Sequence, residues 1–424
     1  MAPSRKPAPE PVAAALRAFL DGHPGIDRLR VALSGGRDSV VLLHALAQCD
    51  SQRRALPLHV HHGLHPLADA QAEQCRRVAD ALGYRCRVLE VRVPERPGEG
   101  VEAAARRLRY QALARGAAAG DCILTAHHAA DQAETFLLAA LKGSGPAGLA
   151  AMPRMRRIGP CWLGRPLLDV PGAAIAAYAL AQALPWIEDP SNADPRFDRN
   201  FLRREVLPRL AGRFPVERRL GVAAGLQAEV ADVLDGLLDP VLDGFRGPCP
   251  DCLDLGGFLQ QPVLRRPWLL RRFITRAGAE PPRRRQLLEF LRQLEQAASD
   301  ASPALHWDGH SLRVYRGALY LLAAAEEAGS EPPRAGFPWP RGAEELHLPD
   351  GRVLTRRELG EAGVTDPAGV SVRFRRGGER LRQPDGTRRA LKNLMQEHAI
   401  PPWRRARVPL IERDGELIAV LWSR

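Results

Sequence analysis

The sequence predicts an α/β fold: a doubly wound, mostly parallel sheet, followed by a helical domain and a small α+β domain at the C-terminus. Three observations carry that prediction. Apolar runs of strand length alternate with segments of helical spacing over residues 1–215. The spacing is then helical over 216–325. Short strand-like runs return over 366–424, around one basic helix.

The elements follow in order. LRVALS reads as a strand and SVVLLHALAQ as a helix; LPLHVHH is a strand and ADAQAEQCRRVADALG a helix. RCRVLEVRV and VEAAARRLRYQALARGAAA repeat the pair, as do DCILTAHH and AADQAETFLLAAL. Period-2 or continuous apolar runs alternating with helical periodicity make βαβ units and a parallel sheet. Ligands of such sheets bind at the carboxyl ends of the strands, where the turns SGGRDS, HHGLHPLAD and AHHAADQAE fall. VERRLGVAAGLQAEVADVLDGLLDPVLDGF, RRPWLLRRFITRAG and RRRQLLEFLRQLEQAAS are helical, and SLRVYRGALYLLAA is a hairpin. EEAGSEPPRAGFPWPRGAEE is rich in Pro, Gly and Glu and reads as a linker, assigned to 326–365. VSVRFRR, VPLIERDG and ELIAVLWS are strands, with the helix RRALKNLMQEH among them. No internal repeat is present.

Composition narrows the function. A chain of 424 residues exceeds one ordinary core, and 45% hydrophobic content excludes a disordered one. No apolar run approaches the ~18 residues of a membrane helix. MAPSRKPAPEP reads as a flexible tail, and VAAALRAFL, which carries Arg17, as an amphipathic helix and not a signal peptide. Seven scattered cysteines, an odd number, favour reduced thiols and a cytoplasmic location. A net charge of +12 favours an anionic partner such as nucleic acid, or a membrane surface. Nearly all of it is arginine, lysine occurring only at Lys6, Lys142 and Lys392, and compositional bias yields the same excess.

The turn Ser34-Gly35-Gly36-Arg37-Asp38-Ser39 carries the chemistry. Two glycines free the backbone for positive φ and close approach of a ligand. The helix that follows opens with unsatisfied N–H groups and a positive dipole end, a site for phosphate. Ser34 and Ser39 add hydroxyls, and Asp38 suits an anion site if it holds Mg²⁺ against the phosphates. A Walker A loop requires a lysine that is absent, and a G-x-G-x-x-G fingerprint is absent too.

This hexapeptide resembles the PP-loop of N-type ATP pyrophosphatases, which cleave ATP between its α and β phosphates. Longer stretches narrow the resemblance. HVHHGLHPLADAQAEQC, EAAARRLRY, LTAHHAADQAETFLLAALKGSGPAGLAAM, WIEDPSNADPRFDRNFLRREVLP, VRFRRGGERLR and LKNLMQEHAIPPWRRARVPLI are similar to the tRNA(Ile)-lysidine synthetase family, over 30–215 and again over 370–424. The resemblance implies ATP and Mg²⁺ as cofactors, and L-lysine and the isoleucine tRNA with a CAU anticodon as partners. O2 of the wobble cytidine would be adenylated, and lysine would displace AMP at C2 to give lysidine. Codon reading would move from AUG to AUA and charging from methionine to isoleucine.

Residue roles are expected accordingly. Ser34, Gly35, Gly36, Arg37, Asp38 and Ser39 bind the nucleotide with His61 and His127, and Asp38 is the metal ligand. Asp131 and Glu134, three apart on one helix face, suit lysine's ammonium groups and proton removal before attack. A solvated acidic first turn gives the same pattern. The family often reads HHxDDQAET; here Ala130 replaces the first aspartate and takes no role. His128 neighbours His127, and neither has a third metal ligand at reliable spacing. Arg106 and Arg109 share a face and either clamp phosphate, pair with Glu134 or are simply solvated. Asp189, Asn192 and Asn200 are expected to wall the lysine or cytidine pocket, with turn chemistry as the competing reading. Arg199 and Arg203 are expected to meet the tRNA.

Basic residues further on are expected to follow RNA phosphates: Arg265, Arg266, Arg271, Arg272 and 283–285 in the middle, and Arg375, Arg376, Arg380, Arg388, Arg389, Lys392, Arg404, Arg405 and Arg407 at the C-terminus. Trp403 and Phe374 either stack on bases or pack. Cys249 and Cys252 form a lone C-x-x-C, read as incidental. Two rival functions stand beside the ligase: a tRNA 2-thiolation enzyme of the same class, which would need cysteines, and an inactive tRNA-binding paralogue, which Ala130 would fit. Oligomeric state is not fixed by sequence; a homodimer is compatible with it.

Overall fold

The computed structural model describes residues 10–49, 54–63, 68–92, 101–188, 198–247, 249, 252–297, 303–323, 333, 335–349, 351–383 and 386–422, with only the backbone at 10 and 101–103. The predicted N-terminal tail up to residue 9, Asp189, Asn192 and the stretch 324–332 lie outside them. The chain forms two compact units, Met1–Val233 and Leu234–Arg424.

In the first unit, β1 (Arg28–Ala32), β2 (Ala55–His61), β3 (Arg87–Glu90), β4 (Asp121–Leu124), β5 (Met155–Ile158) and β6 (Cys161–Gly164) form one sheet in the order β3-β2-β1-β4-β6-β5. All neighbours are parallel except the edge pair β5–β6. The predicted doubly wound sheet is therefore present. Its strand order reverses between β1 and β4, and the crevice outside those two carboxyl ends is where such folds bind ligands. Helices α1 (Glu10–Asp21), α2 (Arg37–Cys49), α3 (Ala68–Ala81) and α7 (Gly172–Ala181) cover one face through Leu16, Leu29, Val31, Leu42, Leu46, Val78 and Ile175. α4 (Val101–Ala114) covers the other through Tyr110 and Leu113 against Leu58, Ile123 and Leu163. Burying each such side chain contributes about 1.5–3 kcal/mol, and α2 is enclosed nearly all round, with Ser39, Val40, Val41, Leu42, Leu43, Ala45 and Leu46 all buried. α5 (Ala129–Leu141) follows β4.

α10 (Val216–Asp243) runs through 233/234, so the expected boundary at 215/216 does not coincide with the division between units. The second unit contains α11 (Leu255–Leu259), α12 (Arg266–Arg276) and α13 (Arg284–Gln296). They pack around Phe258, Leu269, Leu270, Ile274 and Phe290. The expected hairpin is present as β9 (His310–Tyr315) and β10 (Ala318–Ala323), but it belongs to a four-stranded sheet with β7 (Cys252–Asp254) and β8 (Ala304–Trp307).

The expected linker over 326–365 is corrected. Residues 337–361 contain β11 (Phe337–Pro338), β12 (Glu345–His347), β13 (Val353–Thr355) and a helix, Arg356–Glu361. Trp339, Leu346, Leu348, Leu354, Leu359 and Val364 share one core with Val370, Val372, Phe374 and Ile411. The glycines that suggested freedom sit in tight turns: Gly342, Gly351 and Gly363 have φ of 74°, 85° and 85°. Phe374 is core. Trp403 packs edge-on against Tyr315 and Tyr320, with centroids 6.0 and 5.4 Å away.

Candidate active site

The site is built at the β1 and β4 ends. Past β1, Gly35 has φ 85°, a conformation costly for any residue with a Cβ. The loop is stapled by its serines. Ser34 donates its N–H (3.2 Å) and hydroxyl (3.1 Å) to Ser39 Oγ, which donates in turn to the Gly36 carbonyl at 2.8 Å. Both hydroxyl protons are thus committed to loop shape, and the main-chain amides that open α2 remain as the anion donors. Arg37, about half-exposed, donates from Nε to Asp38 Oδ1 at 2.9 Å.

A cleft of about 410 Å³ opens over this loop, within the range of small-molecule sites. The loop contributes Ser34, Gly36, Asp38 and Ser39, and α4 contributes Arg109 and Tyr110. The segment after β4 contributes Thr125, His127 and Asp131. The β2 end contributes His62, and here one expectation is corrected: His61 points its Nε2 at Asp69 Oδ1, 3.0 Å away, and does not line the cleft. From this strand end Leu58, His59, Val60 and His62 line the cleft.

At the mouth, charges form a continuous chain. His128 caps α5: the Ala130 amide donates to its Nδ1 at 3.3 Å, and its own N–H donates to Asp131 Oδ2 at 3.0 Å. Its Nε2 lies 3.5 Å from Asp38 Oδ2 and 3.6 Å from Asp131 Oδ2, bridging the phosphate loop to the α5 carboxylates. Arg203 then donates from Nη2 to Asp131 Oδ1 (2.8 Å) and Glu134 Oε2 (3.0 Å), and from Nε to Glu134 Oε1 (2.5 Å). Arg199 donates to Thr135 Oγ1 at 2.8 Å. The counter-ion of Glu134 is therefore Arg203, not Arg106 or Arg109. Those two hold their guanidinium carbons 5.5 Å from the Tyr110 ring centre, and only Arg109 reaches the cleft. Arg203 sits in a π-helical turn, Leu202–Val206, an irregularity frequent at functional sites. Asn200 is half-buried in the helix just before it.

Electrostatics follow from these contacts. Burial raises the Asp38 pKa, but His128 and Arg37 outweigh it and the net shift is downward. Burial lowers the His128 pKa, and Asp38 and Asp131 reverse that to a net rise. Glu134, fully buried, is raised by desolvation that Arg203 only partly offsets. His127 is pushed down to about 3, chiefly by burial. It is neutral near pH 7, and its Nδ1 lies 2.8 Å from Thr125 Oγ1. It can meet a phosphate only as a hydrogen-bonding imidazole.

Sequence reasoning missed Tyr110 as a cleft residue, while His62 stood beside His61 as a candidate at the end of the second strand. Tyr110 was signalled by its place after two arginines one helical turn apart in EAAARRLRY. Among the expected RNA contacts, Arg266 pairs with Glu295, Arg272 with Asp235 and Asp239, Arg388 with Glu416 and Arg389 with Glu397. The Cys252 thiol, pushed up to about 12 by burial, donates to the Cys249 carbonyl at 3.1 Å within a turn. Among the described residues, no three of His, Cys, Asp and Glu converge to hold a metal unaided, and no helix is long and apolar enough to cross a membrane.

A reversed parallel sheet with a glycine loop and carboxylates at its switch point defines a PP-loop nucleotide-binding protein, and a family model described as a PP-loop domain matches residues 10–210. Two further models, the TilS substrate binding domain and the TilS substrate C-terminal domain, match 253–320 and 370–422. A tRNA(Ile)-lysidine synthase of Alkalilimnicola ehrlichii is 42% identical, covering 99% of this chain and 94% of that protein. Its counterparts in Xanthomonas campestris and Methylococcus capsulatus are 41% and 40% identical, covering 92% and 94% of this chain and 89% and 92% of theirs. The chain belongs to the tRNA(Ile)-lysidine synthase family.

Proposed function

We propose that the chain is an ATP-dependent ligase that joins L-lysine to C2 of the wobble cytidine of the CAU-anticodon isoleucine tRNA. The observation that carries this reading is the junction of phosphate loop and Asp131 through His128, in a chain that matches a relative over 99% of its own length and 94% of the relative's.

The residues fit the groups they would hold. The amides of the Gly35–Asp38 turn suit ATP phosphates, and His62, Arg109 and Tyr110 close the cleft above them. A magnesium ion would take one protein carboxylate, Asp38, with phosphate oxygens and water completing its shell. ATP supplies an adenylyl group to O2 of the cytidine, with release of pyrophosphate, and the lysine amine displaces AMP. Asp131 and Glu134 hold lysine's ammonium groups, with Arg203 balancing the pair before lysine enters. Asp131, at the cleft wall, is the nearer of the two to accept the amine's proton. Arg106 and Arg109 place positive charge beside the cleft, where phosphate charge develops. Asn200, with Asp189 and Asn192, is assigned to recognition of lysine or cytidine. A cytoplasmic location suits a tRNA substrate.

The 2-thiolation reading loses support from the cysteines. The Cys75 and Cys252 thiols are pushed up to about 12 by burial, and a thiol at that value is not a nucleophile at neutral pH. The test is incubation with ATP, Mg²⁺, labelled lysine and isoleucine tRNA transcript. Label is expected in the RNA, and Asp38→Asn is expected to lower the rate by about 100-fold or more. Cysteine-to-serine variants should label normally. No label from the intact chain, or equal labelling of elongator methionine tRNA, would overturn the proposal.

A further inference from the structure

Tyr110 stands between two spaces. On one side is the nucleotide cleft, which it lines with Arg109. On the other is a groove of about 680 Å³ between α4 and the β5–β6 edge hairpin, lined by Arg106, Tyr110, Arg115, Arg156 and Ile158. None of the roles assigned above uses Arg115, Arg156 or this groove.

Among the described side chains that line it, every charge is positive. The guanidinium carbons of Arg106, Arg109 and Arg156 lie 5.5, 5.5 and 5.6 Å from the Tyr110 ring centre. Three cations thus surround one ring. Arg165, 2% exposed, adds a fourth charge to the same tyrosine, whose pKa falls although burial alone would raise it. Arg106, Arg109, Arg115 and Arg156 pair with no carboxylate among the described side chains. The Tyr110 hydroxyl and Arg165 Nε are buried and lack a hydrogen-bond partner of ordinary geometry. Several basic residues elsewhere contrast with this: Arg266, Arg272, Arg373, Arg388 and Arg389 are matched by acids. Clustered cations without counter-charge repel one another, and an anion relieves them. Guanidinium forks suit phosphate oxygens.

Length decides what kind of anion. From Arg106 to Arg115 the groove follows the helix for about 13 Å. One diphosphate cannot cover that distance; a run of phosphodiesters can. We infer that the groove seats the sugar–phosphate backbone of the RNA adjacent to the nucleotide that reacts in the cleft, with Arg115 and Arg156 as its outer contacts. The inference rests on the RNA substrate proposed above.

The test uses the full-length chain and an Arg115→Ala/Arg156→Ala variant. Both residues are exposed and neither lines the nucleotide cleft. Binding of the unmodified isoleucine tRNA transcript is measured by fluorescence anisotropy over a potassium chloride series. The variant is expected to bind about tenfold more weakly, with a salt slope reduced by about one per arginine removed. Its KM for ATP and for lysine, and its melting temperature, should stay at the intact values, and Arg115→Lys/Arg156→Lys should recover part of the affinity. Unchanged affinity and slope in the alanine variant would overturn the inference. So would inorganic pyrophosphate inhibiting the intact chain but not the variant while RNA affinity is unchanged, since the groove would then hold a small anion. If the intact chain itself fails to bind the transcript, the proposed function falls first, a result visible without the variants.

Discussion

Arg203 is the residue on which the α5 carboxylates depend. Glu134 is fully buried and Arg203 is 43% exposed, so the ion pair is desolvated on its acidic side only. Removing one member of a buried pair costs about 3–5 kcal/mol; solvent at Arg203 brings the expected loss for Arg203→Ala nearer about 2 kcal/mol. Adding Glu134→Gln removes the stranded charge, so the double variant should regain part of the loss in urea unfolding. If the second change deepens the loss, the pair is not the cause. His127 gives a pH prediction. Its folded pKa of about 3 lies below the ordinary 6.5. Its contribution is fully present above pH 6.5 and is lost as pH falls toward 3, because the unfolded chain binds the proton first. At pH 5 that is about 1–2 kcal/mol. His128, raised, has the opposite sign: its contribution is present below pH 6.5 and lost as pH rises through its folded value. His127→Asn should therefore flatten the fall in melting temperature between pH 7 and 5; an unchanged slope would refute the assignment. Asp38, Asp131 and Glu134 were legible in sequence because local spacing fixes them on a turn and a helix face. Their partner was not, because Arg203 is 69 positions from Glu134 and only the tertiary fold joins them.

At the scale of elements, the two glycines of the loop do different work. Gly35 needs φ 85°, and a Cβ there would lie 3.3 Å from Cys75 Sγ. Gly36 has no such φ, and its Cβ would meet only Ser34 Oγ at 3.5 Å. Gly35→Ala is expected to lower stability by about 1–2 kcal/mol. Gly36→Ala should leave the unfolding midpoint within about 0.5 kcal/mol of the intact protein yet raise the KM for ATP, because its cost falls on close approach of phosphate. Equal destabilisation by both would show that the loop serves folding alone. The strand–helix alternation was readable because parallel strands are continuous apolar runs and their helices keep an apolar stripe. The π turn at 202–206 was not, since LRREV carries no composition that separates it from an α-helical turn. His61 shows the same limit: a strand's last residues alternate faces, and HH alone does not say which one meets the ligand.

At the scale of the whole molecule, the sheet order and switch point placed the site where the βαβ pattern required. The later boundaries were misjudged because proline and glycine mark tight turns as readily as linkers. The core that contains Trp339, Leu346, Leu348, Leu354, Leu359 and Val364 takes those six of its twelve buried residues from before position 366. β11 pairs with β14 (Val370–Arg373), Phe337 opposite Val372, and the Trp339 amide donates to the Val370 carbonyl at 2.9 Å. A fragment starting at 366 loses that strand and half the core. At about 1.5–3 kcal/mol per buried side chain, those six amount to roughly 9–18 kcal/mol, as large as the whole 5–15 kcal/mol by which domains are ordinarily stable. A fragment of residues 335–424 is therefore expected to show cooperative thermal unfolding, and one of 366–424 is not. The fragments also separate this account from a stable domain confined to the matched span 370–422. If the shorter fragment melts cooperatively at the same temperature, residues 337–364 only decorate a core that β14, β17 (Leu410–Arg413) and β18 (Glu416–Val420) complete among themselves.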